Sequence, residues 1–158
     1  MSQTIFQACQ AGDLNAVTSI IENDPSQLNA ADQKGFTPLI WAVYFGHEAI
    51  VDCLLDKGAD LEKQDVAGNT ALLGASFKGL NTLIQKLLDK GANVNHRNLK
   101  GETALIYASN YAPAATVTVL IDNGASIDLK DHEGLKALDH ARNKSRAEVI
   151  EVFEKIRL

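Results

Sequence analysis

A spacing of 33 residues is the feature of this sequence that most limits what the chain can fold into. Glycine recurs at this interval at Gly35, Gly68, Gly101 and Gly134, with no insertion between them. A chain with such a period folds as a stack of similar units, because one unit of this size cannot bury its own apolar face. The same interval separates the leucines Leu39, Leu72, Leu105 and Leu138 and the alanines Ala42, Ala75, Ala108 and Ala141.

Each unit carries the signals of two short helices. Threonine begins the first helix (Thr37, and its equivalents one and two periods later), where its hydroxyl can cap a free backbone N–H, and Pro38 takes the favoured first helical position. Gly46 and Gly58 lie where the two helices must end, since the terminating residue is often left-handed. The turn between units is predicted to begin at an Asp or Asn, whose side chain bonds nearby backbone: Asp32, Asp65, Asn98 and Asp131.

The amino-acid sequence of the repeat unit resembles that of a known family. Residues 35–42 read Gly-Phe-Thr-Pro-Leu-Ile-Trp-Ala, followed by Gly46-His47 and then by Gly58-Ala59-Asp60. This text is similar to the ankyrin repeat, which has the same period. The resemblance implies an all-α ankyrin repeat solenoid, a single domain of about five stacked helix–turn–helix units joined by hairpin-like loops. We expect the units at about 1–31, 32–64, 65–97, 98–130 and 131–158, the first and last being caps that complete the fold.

Two departures from the family pattern carry expectations of their own. The histidine that usually follows Thr-Pro-Leu is replaced by Ile40, Leu73 and Ile106, so an apolar contact should substitute for its hydrogen bonds. In the fourth unit the helix-ending glycine is replaced by Ala112, and Pro113 follows. Because the residue before proline avoids the helical region, we expect a less regular and less stable fourth unit; neutral drift in a tolerant loop is the alternative.

Composition and charge narrow the function classes. The net charge is -5 and the 15 Lys and Arg are scattered, which disfavours nucleic acid as a partner. No window is apolar enough for a membrane span, and the start lacks the features of a signal peptide. Cys9 and Cys53 have no metal or disulfide spacing and fall in helical apolar patterns, so structural thiols in a reducing cytoplasm are expected. Capped ends favour a monomer.

The sequence contains no recognisable catalytic or metal-binding pattern. The four histidines fall in different units without ligand spacing, and no metalloprotease, nucleophile-elbow or phosphate-loop motif is present. We therefore expect no cofactor, no metal, no catalytic residue and no enzyme activity. A site grafted onto the solenoid, in an enzyme or small-molecule binder, is the alternative. A designed scaffold without a natural partner is a third reading, which the unequal repeats disfavour.

The resemblance also implies where a partner protein binds. In ankyrin repeat domains the concave face is made of the hairpin tips, which here include Val66 and Leu99, and of the exposed side of the first helices. A module of this kind scaffolds or inhibits its partner by occupying its surface. The candidate contact residues are Lys34, Phe36, Trp41, Tyr44, Phe45, Asn69, Gly74, Phe77, Lys78, Lys100, Glu102, Tyr107, Asn110 and Tyr111.

Two features of this face leave alternatives open. Five of the nine aromatic residues occupy its usually exposed positions, and they either anchor a partner or pack within the stack. In the column of Trp41, Gly74 and Tyr107, a glycine stands inside a helix, which costs about 1 kcal/mol relative to alanine. Either a neighbouring ring leans into the space above Gly74, or the space is a notch for a side chain of the partner. The five aromatic residues are Phe36, Tyr44, Phe45, Phe77 and Tyr111.

Overall fold

The computed structural model describes residues 2–156, and within that range the chain consists of helices and connecting turns, without a strand. Short helices alternate in pairs along the chain, so that each predicted unit contributes one pair, and the all-α prediction is confirmed. The unit boundaries stay a prediction; Met1, Arg157 and Leu158, in the two end units, lie outside the described residues. The first helices are α1 (Ile5–Ala11), α3 (Pro38–Tyr44), α5 (Ala71–Lys78), α7 (Ala104–Tyr111) and α9 (Ala137–Asn143). The second helices are α2 (Leu14–Asn23), α4 (Glu48–Asp56), α6 (Asn81–Asp89), α8 (Ala114–Asp122) and α10 (Ala147–Ile156), with a 3-10 turn at Pro25–Asn29.

The first helices begin mostly as the sequence predicts. Thr37 accepts a hydrogen bond from the backbone N–H of Ile40 at 3.2 Å, and Thr103 caps α7 in the same way. The prediction is wrong for Thr70, whose side chain makes no cap hydrogen bond although its backbone is extended like the others. Thr70 is buried, and α5 therefore starts with one fewer satisfied N–H than its neighbours.

The core is built from the repeated apolar columns. Consecutive first helices pack on one another, and their alanine column is fully buried, which lets the helix backbones approach closely. The residues that replace the family histidine are buried as well, so the expected apolar contact is confirmed at Ile40, Leu73 and Ile106. Each helix pair buries its apolar side against the next pair, and exposed side chains such as Tyr44, Phe45 and Phe77 lie at the ends of the first helices.

The turns between units are held by the predicted Asp and Asn side chains. Asp32 Oδ1 accepts the backbone N–H groups of Lys34 and Phe36 at 2.8 and 2.9 Å. Successive tips are joined by backbone hydrogen bonds, such as Val66 N–H to the Lys34 carbonyl at 3.0 Å. Glycine is required beside the tip: Gly68 has a φ of +81°, and a Cβ there would lie 2.8 Å from the backbone nitrogen of Leu99.

The fourth unit differs where Pro113 was expected to disturb it. Ala112 is extended (φ -100°, ψ 164°), whereas the corresponding Gly46 and Gly79 are left-handed. Pro113 has no N–H to offer the last carbonyls of α7. The guanidinium of Arg146, from the fifth unit, donates instead to the carbonyls of Ala108 at 3.1 Å, Ser109 at 2.9 Å and Ala112. The loop is thus less regular, and a long-range charged cap replaces the missing local one.

Candidate functional site

The first group of aromatic rings is centred on Trp41 and is called here the N-terminal aromatic cluster (Phe36, Trp41, Tyr44 and Phe45). Phe36 meets the indole edge-on with ring centroids 4.9 Å apart, and Phe45 stacks on it at 5.8 Å. The indole is fixed from the other side, because its Nε1–H donates to Asp32 Oδ2 at 2.8 Å. Trp41 is therefore in contact with both neighbouring rings and hydrogen-bonded to the turn at the same time.

The second group lies one and two units further along and is called the C-terminal aromatic cluster (Phe77, Tyr107 and Tyr111). Phe77 lies 4.9 Å from Tyr111 and 6.2 Å from Tyr107, measured between ring centroids. The hydroxyl of Tyr107 donates to Asn69 Oδ1 at 3.1 Å and accepts from Asn98 Nδ2 at 3.0 Å. Burial of the ring, together with the nearby Glu102 carboxylate, raises the pKa of Tyr107 above its ordinary value. This phenol therefore stays neutral and acts as a fixed hydrogen-bonding group.

Four of the five aromatic residues singled out in the sequence are exposed. Tyr44, Phe45 and Phe77 each keep 46% of their surface in solvent, and Tyr111 keeps 53%. Phe36 differs, since it is half-buried against Trp41 and serves mainly to cover the hairpin. A row of large, exposed apolar side chains is a usual property of interaction surfaces, where aromatic residues contribute most of the binding energy.

Two lysines are drawn onto these rings. The Lys78 ammonium lies 4.0 Å from the centroid of the Tyr44 ring and also donates to the Tyr44 carbonyl. The Lys144 ammonium lies 3.9 Å from the centroid of Tyr111. Such contacts keep the lysines at the rim of the aromatic surface, where their charge is still solvated.

Between the two aromatic clusters the face is indented, and Gly74 lies in the indentation. A Cβ built on Gly74 would meet no atom within 4 Å, so neither Trp41 nor Tyr107 fills the space. Of the two alternatives for this column, the packing explanation is wrong and an open notch exists. We call it the Gly74 notch, a cavity of about 260 Å³. It is lined by Phe36, Ile40, Tyr44, Asp65, Asn69, Thr70, Ala71, Gly74, Phe77, Lys78 and Tyr107.

The remaining predicted site residues are placed unequally. Lys34 and Lys100 are exposed on hairpin tips, and Glu102 is half-buried, accepting from Asn98 Nδ2 at 3.0 Å. Asn110 is a correction: it is only 8% exposed and presents no usable surface. It lies in the last turn of α7, which is packed against the fifth unit and crossed by Arg146.

The structure adds three residues that the list of candidates left out. Val66 and Leu99 are 70% and 67% exposed on neighbouring hairpin tips, so the tips themselves are partly apolar. Asp65 lines the Gly74 notch. An apolar residue at the outermost position of a turn was a usable sequence signal for the first two. Asp65 borders the notch because Gly74, nine residues later, has no side chain to fill the space. The sequence alone did not indicate this.

The histidine and cysteine side chains do not come together in one site, and those described next each have their own surroundings. His47 Nε2 lies 3.1 Å from the Gln10 carbonyl, and His96 Nε2 lies 2.8 Å from the Gly68 carbonyl. Burial raises the pKa of the Cys9 thiol to about 12, with a smaller contribution from the neighbouring Cys53. Over residues 2–156, no group of three or more His, Cys, Asp or Glu side chains is arranged to hold a metal ion. Within the same range no helix is both long and apolar enough to cross a membrane.

The stacked helix pairs, Asp-held hairpins and exposed first-helix side define a repeat solenoid of the interaction-module type. The family model described as ankyrin repeats (3 copies) matches residues 5–98, and a second, ankyrin repeats (many copies), matches residues 87–141. The chain belongs to the ankyrin repeat family. Ankyrin repeats are generally non-catalytic modules that bind other proteins.

Curated relatives share short stretches with this chain. It is 41% identical over 59 residues to BTB/POZ domain-containing protein 3 of Schizosaccharomyces pombe, which is 37% of this chain and 11% of that protein. It is 40% identical over 55 residues to the human Scaffold protein ILK, covering 35% and 12%. The NAD-capped RNA hydrolase NUDT12 of Macaca fascicularis is 43% identical over 49 residues, covering 31% and 11%. The chain thus spans about a tenth of the length of these relatives.

Proposed function

We propose that this chain is a non-enzymatic protein-interaction module, which binds a partner protein through its hairpin tips and first helices and so scaffolds or inhibits that partner. The observation that carries the proposal is the exposed aromatic row on one side of the first helices, interrupted by the Gly74 notch. Burying Tyr44, Phe45, Phe77 and Tyr111 in a complex would remove a large apolar area from water at little cost in side-chain entropy.

An enzyme or small-molecule binder is the weaker alternative. The Gly74 notch has the size of a small ligand site, but within residues 2–156 Asp65 and Lys78 are its only charged lining residues, and Lys78 is held by Tyr44. Acid–base or nucleophilic catalysis needs at least two groups that converge on one reacting atom. The hydrolase named among the relatives shares with this chain only a short repeat segment. The face therefore suits a protein surface better than a reaction.

We extend the proposal to the state of the protein in the cell. A monomer in the cytoplasm, without nucleic acid or membrane as a partner, suits the net charge of -5 and the two free thiols. Light scattering on the purified chain, with the expected mass of one copy, checks the monomer. A mass of two copies would contradict it.

The face is tested by capture of partners from lysate. The variant with Phe45→Ala, Phe77→Ala and Tyr111→Ala should lose the proteins that the wild-type chain retains, while its helical circular dichroism is kept. A control with Thr82→Ala and Thr118→Ala, two exposed positions on second helices, should retain them. If the folded triple variant recovers the same proteins as the wild type, the proposed face is wrong.

A further inference from the structure

Four hairpins of this chain, numbered here by the unit that each one opens (second to fifth), share one hydrogen-bonding scheme, which shows what the third hairpin lacks. In each, the first side-chain oxygen of the Asp or Asn accepts two backbone N–H groups of its own turn, at 2.8–3.0 Å. In three of them the second side-chain atom contacts the residue nine positions later, on the first helix, and in the hairpin of Asp65 that position is Gly74. These pairs are Asp32 with Trp41, Asp65 with Gly74, Asn98 with Tyr107, and Asp131 with His140.

In three of the pairs the second side-chain atom of the Asp or Asn makes a short hydrogen bond with the residue nine positions later. The indole N–H of Trp41 donates to Asp32 Oδ2 at 2.8 Å. His140 Nε2 lies 2.6 Å from Asp131 Oδ2. Where the hairpin has an asparagine, the polarity is reversed, and Asn98 Nδ2 donates to the Tyr107 hydroxyl at 3.0 Å. In these hairpins a ring with a polar atom fills the space above the helix and also hydrogen-bonds the second side-chain atom of the Asp or Asn.

The third hairpin has the carboxylate but not the ring. Gly74 offers no side chain, and the closest donor to Asp65 Oδ2 is the amide of Asn69, at 3.5 Å. Over residues 2–156, no Lys, Arg or His nitrogen lies within 4.0 Å of the Asp65 carboxylate. A carboxylate oxygen with spare acceptor capacity therefore borders a cavity whose other walls are mainly aromatic and aliphatic, with polar groups at Asn69, Thr70 and Lys78.

The charges and ring faces around the notch decide which kind of donor suits it. Asn98 Nδ2 bonds both the Tyr107 hydroxyl and the Glu102 carboxylate at 3.0 Å, so a second negative charge lies at the end of the notch near Asp65 and favours a cation there. Aromatic rings attract cations at their faces, and apolar walls accommodate an aliphatic stem. The one ammonium among the lining residues, that of Lys78, is held over Tyr44. Lys78 makes no ion pair with Asp65, so charge complementarity at the Asp65 oxygen selects a basic side chain over a neutral one.

We infer that the Gly74 notch receives a lysine or arginine side chain of the partner, with its stem over Gly74 and its charged nitrogen on Asp65 Oδ2. This rests on the proposed function and specifies its chemistry. The partner's cation takes the place that Trp41 and His140 occupy in their own hairpins. The remaining contacts of the partner would lie on the two aromatic clusters at either side.

The test uses random 12-residue peptides displayed on phage, selected on the immobilised full chain and then synthesised. Peptides whose binding is lost in Gly74→Leu should carry a conserved Lys or Arg. Replacing that residue by norleucine, and Asp65→Asn in the protein, should each weaken affinity about 10-fold or more, as expected for a hydrogen bond to a charged group. The two changes together should cost little more than either one.

Asn98 shows that asparagine sustains this turn, so Asp65→Asn keeps the fold. The matched control is Asp122→Asn, which removes the same charge from the exposed end of α8 and should leave affinity unchanged. Notch-dependent peptides without a basic residue, or equal affinity for Asp65→Asn, would overturn the inference and leave the proposed function standing. If no selected peptide depends on the notch or on the aromatic clusters, both are overturned.

Discussion

The second and third hairpins make the same turn hydrogen bonds but differ at the position nine residues after the Asp. One has the large ring of Trp41 there, and the other has Gly74. In the second, Trp41 closes the space above α3, bonds Asp32 and organises the N-terminal aromatic cluster. In the third, Gly74 leaves the corresponding space open, and Asp65 keeps an oxygen without a close donor. The difference of one side chain turns a stabilising contact into a cavity, so a solenoid can place a binding site without altering its repeat.

The two hairpins also differ in what an acid group contributes to stability. Partial burial works against the charge of Asp32, but hydrogen bonds from the Phe36 N–H, the Trp41 indole and the Lys34 N–H outweigh it and lower the pKa of Asp32. A carboxylate held in this way stabilises the folded state. Asp65 has the same turn bonds without the indole, and is available to a partner instead.

The largest effect is expected when the second hairpin is made like the third. Trp41→Gly removes a packed ring, leaves Asp32 without its indole donor and adds a helical glycine. The free energy of unfolding should fall by about 3–5 kcal/mol, measured by urea denaturation. Tyr44→Ala, which removes an exposed ring from the same helix, is the control and should cost about 1 kcal/mol or less. Equal losses of stability in both variants would show that Trp41 contributes no more than an exposed ring does.

A smaller and directional effect is expected from changing the two carboxylates. Asp32→Asn sets an amide against the indole N–H and should cost about 1–3 kcal/mol in the free energy of unfolding. Asp65→Asn should cost about 0.5 kcal/mol or less, because the turn bonds survive and no close donor is lost. Thermal and urea unfolding of both variants measure the difference. Equal costs would contradict the contrast between the two hairpins.

Filling the notch minimally should stabilise the chain. Gly74→Ala removes a helical glycine and places a methyl group in open space, so the free energy of unfolding should rise by about 1 kcal/mol. Gly79→Ala is the matched control and should destabilise, because Gly79 has a φ of +71° and its Cβ would lie 2.9 Å from Pro113 Cδ. A loss of stability in Gly74→Ala would mean that the space is occupied.

The smallest expected effect is on the pH dependence of stability, to which the Asp32 carboxylate of the second hairpin contributes. Because the pKa of Asp32 is lower in the folded chain than in the unfolded one, its contribution is complete above the unfolded value, about 4, and is lost as pH falls through the folded value. Stability of the wild type should therefore decline between about pH 5 and pH 3. Asp32→Asn and Trp41→Phe should each flatten this decline, followed by urea unfolding at each pH. Parallel curves for all three proteins would contradict the assignment.

How much of this the sequence could predict depends on the range of the interactions. The period, the helix pairs, the Asp and Asn turns and the buried Ile40 column follow from local patterns, and all were predicted. The cap from Arg146 to α7 joins residues more than 30 positions apart, and no local pattern indicates it. Asn110 lies in the same last turn of α7, and its burial is likewise not indicated by its position in the repeat.

The site shows the same division between local and long-range information. The exposure of Tyr44, Phe45, Phe77 and Tyr111 was predicted from their positions in the repeat. The sequence left open whether a ring fills the space at Gly74, because the answer depends on how rings from two neighbouring units are oriented. Those orientations are set by Asp32 and Asn98 through side-chain hydrogen bonds that repeat spacing does not encode.

The central claim is that the space above Gly74 is kept open for a partner. The most direct test is the affinity of Gly74→Leu for those peptides, selected on the wild-type chain, that share a Lys or Arg, measured by isothermal titration beside urea unfolding of the same sample. We expect stability to be kept or raised and affinity to fall about 100-fold or more, because the leucine occupies the place of the partner's side chain. A stable Gly74→Leu chain that binds the peptides as the wild type does would contradict it.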